Sequence, residues 1–220
     1  MDIFKIKIKL KRIYFHVLNK SRFLFSNYFS KYKYTYGRDW FYKSEIYQKA
    51  KFVLGNQNKN KFEILEIGSF EGLSTTYFID NFLRKSNSKI TSVDPFLLYS
   101  ENDHKTILTN VQIRNFFYNI SKSAFPEKFQ YLGLTSDQFF EVNDKKYNFI
   151  YLDGMHTKEQ IPKDIIHSWD SLLIDGILWM DDYLGDNGKI KKIFDRTIES
   201  LKGDYKIIHR GYQLAIKKLG

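Results

Sequence analysis

The chain has 220 residues, no cysteine and a formal net charge of +10. That length supports one domain with a sizeable core plus an appendage, and the missing cysteines exclude a disulfide framework and a thiolate metal site. The charge is uneven: residues 1–40 hold ten Lys/Arg against two acids, while residues 41–220 hold 25 against 23. The basicity therefore belongs to the leader, and nucleic-acid binding by the body loses its electrostatic support.

In chain order, residues 1–40 are expected to form a basic, aromatic N-terminal extension, and residues 41–220 the main domain. Lys5 to Lys11 alternate lysine with isoleucine or leucine, the pattern of a short edge strand. Phe15, Val17, Leu18, Phe23 and Leu24 among basic residues instead suit an interfacial amphipathic helix. Three readings are open for this leader: an arm packed on the domain or on a second subunit of a homo-oligomer, attachment to an anionic membrane surface, and nucleic-acid contact. No run nears the roughly 18 apolar residues of a membrane span, and the apolar stretches near the N-terminus are short and followed by charge, unlike a cleavable signal. The expected location is cytoplasmic, at the periphery of a membrane if the leader binds one.

A helix is expected over about 43–54, then a polar loop over Asn56 to Lys61. The stretch Phe62 to Gly72 organises the remainder of the chain. An apolar run ends in Glu66, then come Gly68, Ser69 and Gly72 and a new apolar periodicity: a strand running through a tight turn into a helix. Gly68 permits a sharp bend and close approach, and the helix opening near Gly72 directs free N–H groups toward a ligand. A dinucleotide turn needs G-x-G-x-x-G; here Gly68 is followed by Ser69 and Phe70 with no second glycine before Gly72, which argues against a pyrophosphate.

Beyond it, strand patterns at 62–67, 89–94, 128–133, 147–152 and 176–181 alternate with helix patterns at 72–85, 104–120, 136–142, 158–173 and 188–202. Such alternation predicts an α/β fold with a parallel sheet covered on both faces. Residues 205–209 and 212–216 are separated only by Arg210 and Gly211, too short for a crossover, so they must pair antiparallel.

The E-x-G-x-x-x-G motif of Glu66 to Gly72, with five parallel strands closed by an antiparallel hairpin, resembles the class I S-adenosylmethionine-dependent methyltransferases. The resemblance implies a Rossmann-like, mostly parallel seven-stranded sheet and S-adenosylmethionine as cofactor. It implies cofactor contacts from Glu66, Gly68, Ser69 and Gly72, from Asp94 at the second strand end through the ribose hydroxyls, and from Ser136 and Asp137 near the adenine. Asp94 as a cap of its own turn, and Ser136 as an ordinary helix cap, are the plainer alternatives.

At the next two strand ends stand Asp153-Gly154-Met155-His156 and Asp181-Asp182-Tyr183. Neighbouring strands lie about 5 Å apart, so these carboxylates should meet at one rim, where they repel unless a cation neutralises them. An all-oxygen set suits a hard divalent ion, Mg2+ first. Residues 41–218 are similar to the metal-dependent sugar and small-molecule O-methyltransferases, the cephalosporin-hydroxylase-like and catechol-type groups. That likeness implies metal ligation by Asp153, Asp181 and Asp182. Some sugar methyltransferases place an acidic base two residues after the first Asp. Here that position is Met155, which takes no proton, so His156 is the candidate base with Asp153 beside it. A metal-free version, with Asp153 holding the ammonium of the cofactor, is the alternative. Of the other histidines, His104 stands near the expected lid, His167 mid-helix, His209 away from the rim and His16 in the leader. Phe96, Tyr99, Tyr183 and Trp179 are candidates to stack on an acceptor ring. The reading is O-methylation of a sugar, glycan or small metabolite; the rival is a non-catalytic module that binds cofactor or partner.

Overall fold

A computed structural model describes residues 33–55, 61–85, 87–99, 105–107 and 110–220. The leader readings for residues 1–32, and His104, lie outside the described residues. In chain order the elements are α1 (Glu45–Leu54), β1 (Glu63–Ile67), α2 (Leu73–Phe82), β2 (Lys89–Val93), β3 (Leu97–Tyr99), β4 (Lys105–Ile107), α3 (Asn110–Lys122), β5 (Phe129–Leu132), α4 (Ser136–Val142), β6 (Tyr147–Leu152), α5 (Gln160–Asp170), β7 (Leu172–Met180), α6 (Lys191–Glu199), β8 (Tyr205–Arg210) and β9 (Leu214–Lys218). The main sheet has seven strands in the order β5-β2-β1-β6-β7-β9-β8. Pairing is parallel from β5 through β7, and β9 runs antiparallel to both β7 and β8. This is the parallel α/β sheet expected from the alternation of patterns, closed by the expected antiparallel hairpin in the Rossmann-like arrangement that the resemblance implies.

The period-2 alternation of each strand divides its side chains between two cores. Ile64, Phe149, Tyr151, Ile177, Trp179 and Ala215 face α1, α2 and α3. Leu65, Ile67, Ile150, Leu152, Leu178 and Met180 face α5 and α6. Strands buried on both faces read as continuous apolar runs, which is why β6 was legible as Tyr147-Asn148-Phe149-Ile150-Tyr151-Leu152, buried throughout.

Three local differences from expectation have physical reasons. The segment expected to open a helix at 104 instead pairs Lys105–Ile107 antiparallel with Leu97–Tyr99, and α3 begins at Asn110; Thr106 and Ile107 are β-branched and favour the extended state. Asp175-Gly176 is a kink inside β7, where Asp175 takes φ 62 opposite a register shift, so the strand starts at Leu172. The α4 cap is Thr135, whose hydroxyl accepts from Gln138 N while the Gln138 side chain accepts from Thr135 N. This is a capping box one residue ahead of Ser136.

Gly68 is demanded by packing. Its φ is 84, and a Cβ there would lie 2.0 Å from the Asp153 carbonyl oxygen. Gly68→Ala is expected to lower stability by about 3 kcal/mol, read from urea denaturation, because strain and backbone collision act together.

Beneath that turn Glu66 is 0% exposed. It accepts from Ser74 Oγ at 2.5 Å, Thr75 Oγ1 at 2.5 Å and Ser92 Oγ at 2.9 Å, tying β1, β2 and α2 together. Burial pushes its pKa from 4.5 up to about 7, against the three hydroxyl donors, with the Asp94 charge adding to the rise. The folded protein therefore holds this proton more tightly than the unfolded chain. The stabilisation is complete below about pH 4.5 and is lost as pH rises through 7. Glu66→Gln should flatten the fall in stability between these limits by about 3 kcal/mol relative to wild type, measured as urea midpoints across the pH range.

Candidate functional site

The strand ends come together because ladder hydrogen bonds continue one residue past each strand. Asp94 N donates to Leu132 O at 3.2 Å, Gly68 N to Val93 O at 2.9 Å, Asp153 N to Ile67 O at 2.8 Å and Asp181 N to Leu152 O at 2.9 Å. Above this rim opens a cavity of about 820 Å³, near the upper end of the roughly 300–1,000 Å³ range for small-ligand sites. It lies where the strand order reverses around β1, the place where open α/β sheets bind ligands.

At the first turn, Asp94 is the organising group. Its Oδ2 accepts from Ser69 N at 2.8 Å, Phe70 N at 3.0 Å and Ser69 Oγ at 3.3 Å, and its Oδ1 from Phe96 N at 2.7 Å. Phe70 and Phe96 both sit at positive φ, 47 and 53, a costly conformation for bulky residues that this one carboxylate holds in place. The N–H groups that could cradle a phosphate are thus occupied by an internal anion. Asp94 itself lines the cavity and retains acceptor capacity at Oδ1.

The predicted cofactor residues divide by position. Gly68, Ser69, Asp94 and Ser136 line the cavity, joined by Thr135. Glu66 is sealed beneath the turn. Gly72, at φ 77, packs where a Cβ would stand 2.9 Å from the Phe116 ring. Asp137 accepts from Gln160 Nε2 at 2.9 Å and pairs with Lys163 at 3.4 Å, and these two partners hold its carboxyl below the usual range. The structure thus gives Glu66, Gly72 and Asp137 partners within the protein, away from the cavity lining.

Asp153, His156, Asp181 and Asp182 are gathered at the rim of β6 and β7 and line the cavity. Tyr151 Oη lies 2.8 Å from Asp181 Oδ2 and 3.2 Å from Asp153 Oδ2. One phenolic proton serves two carboxyls, and both titrate above the usual range. Burial is the main cause for each; for Asp153 the charges of Asp181 and Asp182 add to it, and for Asp181 that of Asp182. Asp182 adopts φ 53, a left-handed conformation that Asp tolerates. Its Oδ2 meets His156 Nδ1 at 2.9 Å and its Oδ1 accepts from Tyr212 Oη. Burial opposes ionisation of Asp182, but the His156 and Tyr212 contacts outweigh it and the carboxyl stays below its ordinary pKa. His156 Nε2 is 4.0 Å from Asp153 Oδ1, too long for a hydrogen bond.

For a divalent ion these are the right donor atoms, but their arrangement does not fit one. Asp181 accepts from Asp182 N and Tyr151, Asp182 is bonded to His156 and Tyr212, and Asp153 Oδ2 faces Tyr151. Among the described residues no group of three or more His, Asp or Glu side chains is disposed to hold a metal.

Sequence reasoning missed part of the lining. Residues 33–44 lie along α2 and α3, where Thr35 and Asn119 exchange two hydrogen bonds of 2.8 and 2.7 Å and Gly37 N donates to Glu71. This strap brings Arg38, Trp40 and Lys43 to the cavity, and the hairpin turn brings Tyr212 and Gln213. Of the aromatics expected at the rim, Phe96 stacks on Tyr131, and Tyr183 and Trp179 are buried; the Tyr99 side chain lies outside the described residues. Trp179 stacks on His209 at 5.0 Å, and His167 on Phe140 at 5.4 Å.

A methyltransferase domain family matches residues 65–183, more than half of the chain. The fold resembles an rRNA methylase from Streptococcus thermophilus (TM-score 0.58, 10% identity, 81% of this chain and 99% of that one). It also resembles the O-methyltransferase from Bacillus cereus in complex with SAH (TM-score 0.55, 15% identity, 79% and 81%). A third likeness is to the O-methyltransferase TomG from Streptomyces achromogenes, involved in tomaymycin synthesis, in complex with SAM (TM-score 0.56, 12% identity, 80% and 82%). A sequence search of curated proteins gave no match. With the glycine turn, the strand-end cavity and the matched domain in agreement, the chain belongs to the class I S-adenosylmethionine-dependent methyltransferases.

Proposed function

We propose that the protein is an O-methyltransferase acting on a hydroxyl of a small acceptor, a sugar or similar hydroxylated metabolite. The observation behind this is the His156–Asp182 pair, 2.9 Å apart, standing in the same cavity as the Gly68–Ser69 turn. Bound S-adenosylmethionine supplies a methyl on a positively charged sulfur, and the methyl passes to the acceptor oxygen as the carbon–sulfur bond breaks and sulfur keeps the electron pair.

The chain contributes position, charge and a proton acceptor. Gly68, Ser69 and Asp94 at one end of the cavity, with Thr135 and Ser136 beside them, suit the nucleoside and amino-acid portions of the cofactor. Asp182, held ionised beside His156, with the Asp153 and Asp181 carboxyls that a nearby cation would ionise, favours a sulfonium or ammonium over a phosphate. With Nδ1–H donated to Asp182, His156 presents Nε2 as the basic nitrogen, and the adjacent carboxylate stabilises the imidazolium that forms. The acceptor proton goes to Nε2. Met155 cannot do this work, and the neighbouring imidazole takes the role that an acid fills in some sugar methyltransferases. Because the rim carboxylates are already bonded to His156, Tyr151 and Tyr212, the proton transfer runs through the imidazole alone. RNA as acceptor is disfavoured by the near-neutral body of the chain.

A positioned general base is worth about 10²–10⁴ in rate. His156→Ala should therefore cut kcat about a hundredfold or more in a methyl-transfer assay over a panel of hydroxylated acceptors. S-adenosylhomocysteine affinity by calorimetry should stay within about twofold. Asp182→Asn should lower kcat less, and turnover should persist in chelator. Parallel loss of cofactor affinity in His156→Ala would reassign that side chain to cofactor binding, and activity lost to chelator and restored by Mg2+ would return the metal to the mechanism.

A further inference from the structure

The cavity lining carries both signs of charge. The strand ends supply Asp153, Asp181 and Asp182, and the strap supplies two cations, Arg38 and Lys43. Among the described residues neither cation is in an ion pair with a carboxylate; Arg38 instead lies over the Trp40 ring at 5.0 Å. Trp40 is 56% exposed and Tyr212 is 50% exposed, and both line the cavity. Large aromatic rings left open beside a pocket are the usual means of binding a second ring.

These side chains are held in place. Trp40 rests on Phe70 with ring centroids 5.0 Å apart, so it is fixed to the glycine turn. Phe41 is buried among Tyr77, Phe78 and Tyr151, which anchors the strap between its two cations. Across the mouth, Gln213 locks the hairpin to the start of α1. Its Oε1 accepts from Ile46 N at 2.8 Å and from Trp179 Nε1 at 2.9 Å, and its own N–H donates to Glu45 Oε2 at 2.8 Å. Tyr212 is further tied to Asp182 through its hydroxyl. The strap runs directly into α1, to which Gln213 ties the hairpin turn, so the two segments border the cavity together.

From this arrangement we infer that the strap and the hairpin turn form the acceptor subsite, and that it selects a hydroxylated ring carrying an anionic group. The inference rests on the methyltransferase reading of the same cavity and names the acceptor chemistry within it. The two signs of charge fix orientation. An anionic substituent is repelled by the strand-end acids and attracted by Arg38 and Lys43, so the far side of the ring, with its hydroxyl, points to His156. Trp40 and Tyr212 contact the ring between these ends. The anion can be an aryl carboxylate or a sugar acid; both present the same chemistry to the two cations.

The test is calorimetry on the full chain saturated with S-adenosylhomocysteine, using matched probes: 3,4-dihydroxybenzoate against 3,4-dihydroxybenzyl alcohol, and glucuronate against glucose. In at least one pair the anionic member should bind about tenfold more tightly, the amount expected from two partly exposed cations acting together. That preference should shrink in high salt. Arg38→Ala/Lys43→Ala should level the pair while leaving S-adenosylhomocysteine affinity unchanged, and Trp40→Ala should weaken both members alike. The result that overturns the inference is a neutral member binding equally well in both pairs, a preference that survives the double variant, or no binding by any probe to the saturated protein at millimolar concentration. Failure to bind S-adenosylhomocysteine at all, measured first, overturns the methyltransferase reading and this inference with it.

Discussion

The site depends on the parallel ladder running one residue beyond the strands. When Asp153 N–H bonds to Ile67 O and Asp181 N–H to Leu152 O, the last ladder-bonded backbone of each strand is also the backbone of a cavity-lining acid. Nothing flexible separates the sheet from the acids. A one-residue slip of β6 against β1 would turn Tyr151 and Asp153 toward the opposite face. The buried faces forbid that slip, since Leu152 and Ile150 belong to one core and Tyr151 and Phe149 to the other. Hydrophobic patterning therefore sets the chemistry indirectly: it fixes the register, and the register sets the carboxylates side by side.

Carboxylates at this rim have two distinct structural jobs. Glu66 and Asp94 act as internal acceptors, each gathering hydroxyl or N–H donors from neighbouring elements. Asp153, Asp181 and Asp182 line the cavity and are restrained by fewer bonds: Tyr151 reaches Asp153 and Asp181, Asp182 N reaches Asp181, and His156 and Tyr212 reach Asp182. The first group is held by several bonds that would be costly to leave unmade. The second is held loosely enough for a bound cation or a transferred proton to change its state. Burial drives Asp153 and Asp181 upward in pKa while His156 keeps Asp182 low. Adjacent acids in sequence thus titrate in opposite directions, an arrangement that suits a site needing both a charge and a proton acceptor.

The sheet, its antiparallel closure and the meeting of Asp153 with Asp181 and Asp182 were readable from sequence because each is a local signal repeated at strand ends. Apolar runs, their spacing and the short connection after Arg210 suffice for that. What could not be read required knowledge of which turn donors find which acceptor. Glu66 has the same motif position whether it meets a ligand or three hydroxyls of its own fold, and only the placement of Ser74, Thr75 and Ser92 decides. Gly72 likewise fits the expected spacing, yet its close neighbour is the Phe116 ring. The strap was obscured for a different reason. Its composition continues that of the basic leader, while the contacts that place it, Thr35 with Asn119 and Gly37 with Glu71, join residues far apart in the chain.

The division of labour between floor and mouth arises from the same geometry. The floor comes from parallel strand ends, where each residue is constrained by two neighbouring strands and by cores on both faces. The mouth comes from a strap before β1 and a hairpin turn after β8, segments that lie outside the matched residues 65–183. Substitutions there leave the ladder bonds untouched, so the mouth can change its charge and its rings at little cost to the sheet. Gln213 shows how mouth and core stay coupled: it joins the hairpin to Glu45 and Ile46 at the start of α1, directly after the strap, while its Trp179 contact reaches into the core. Selectivity at the opening is thereby free in its side chains and fixed in its frame, which is the condition for holding an acceptor in line with a cofactor seated on the glycine turn.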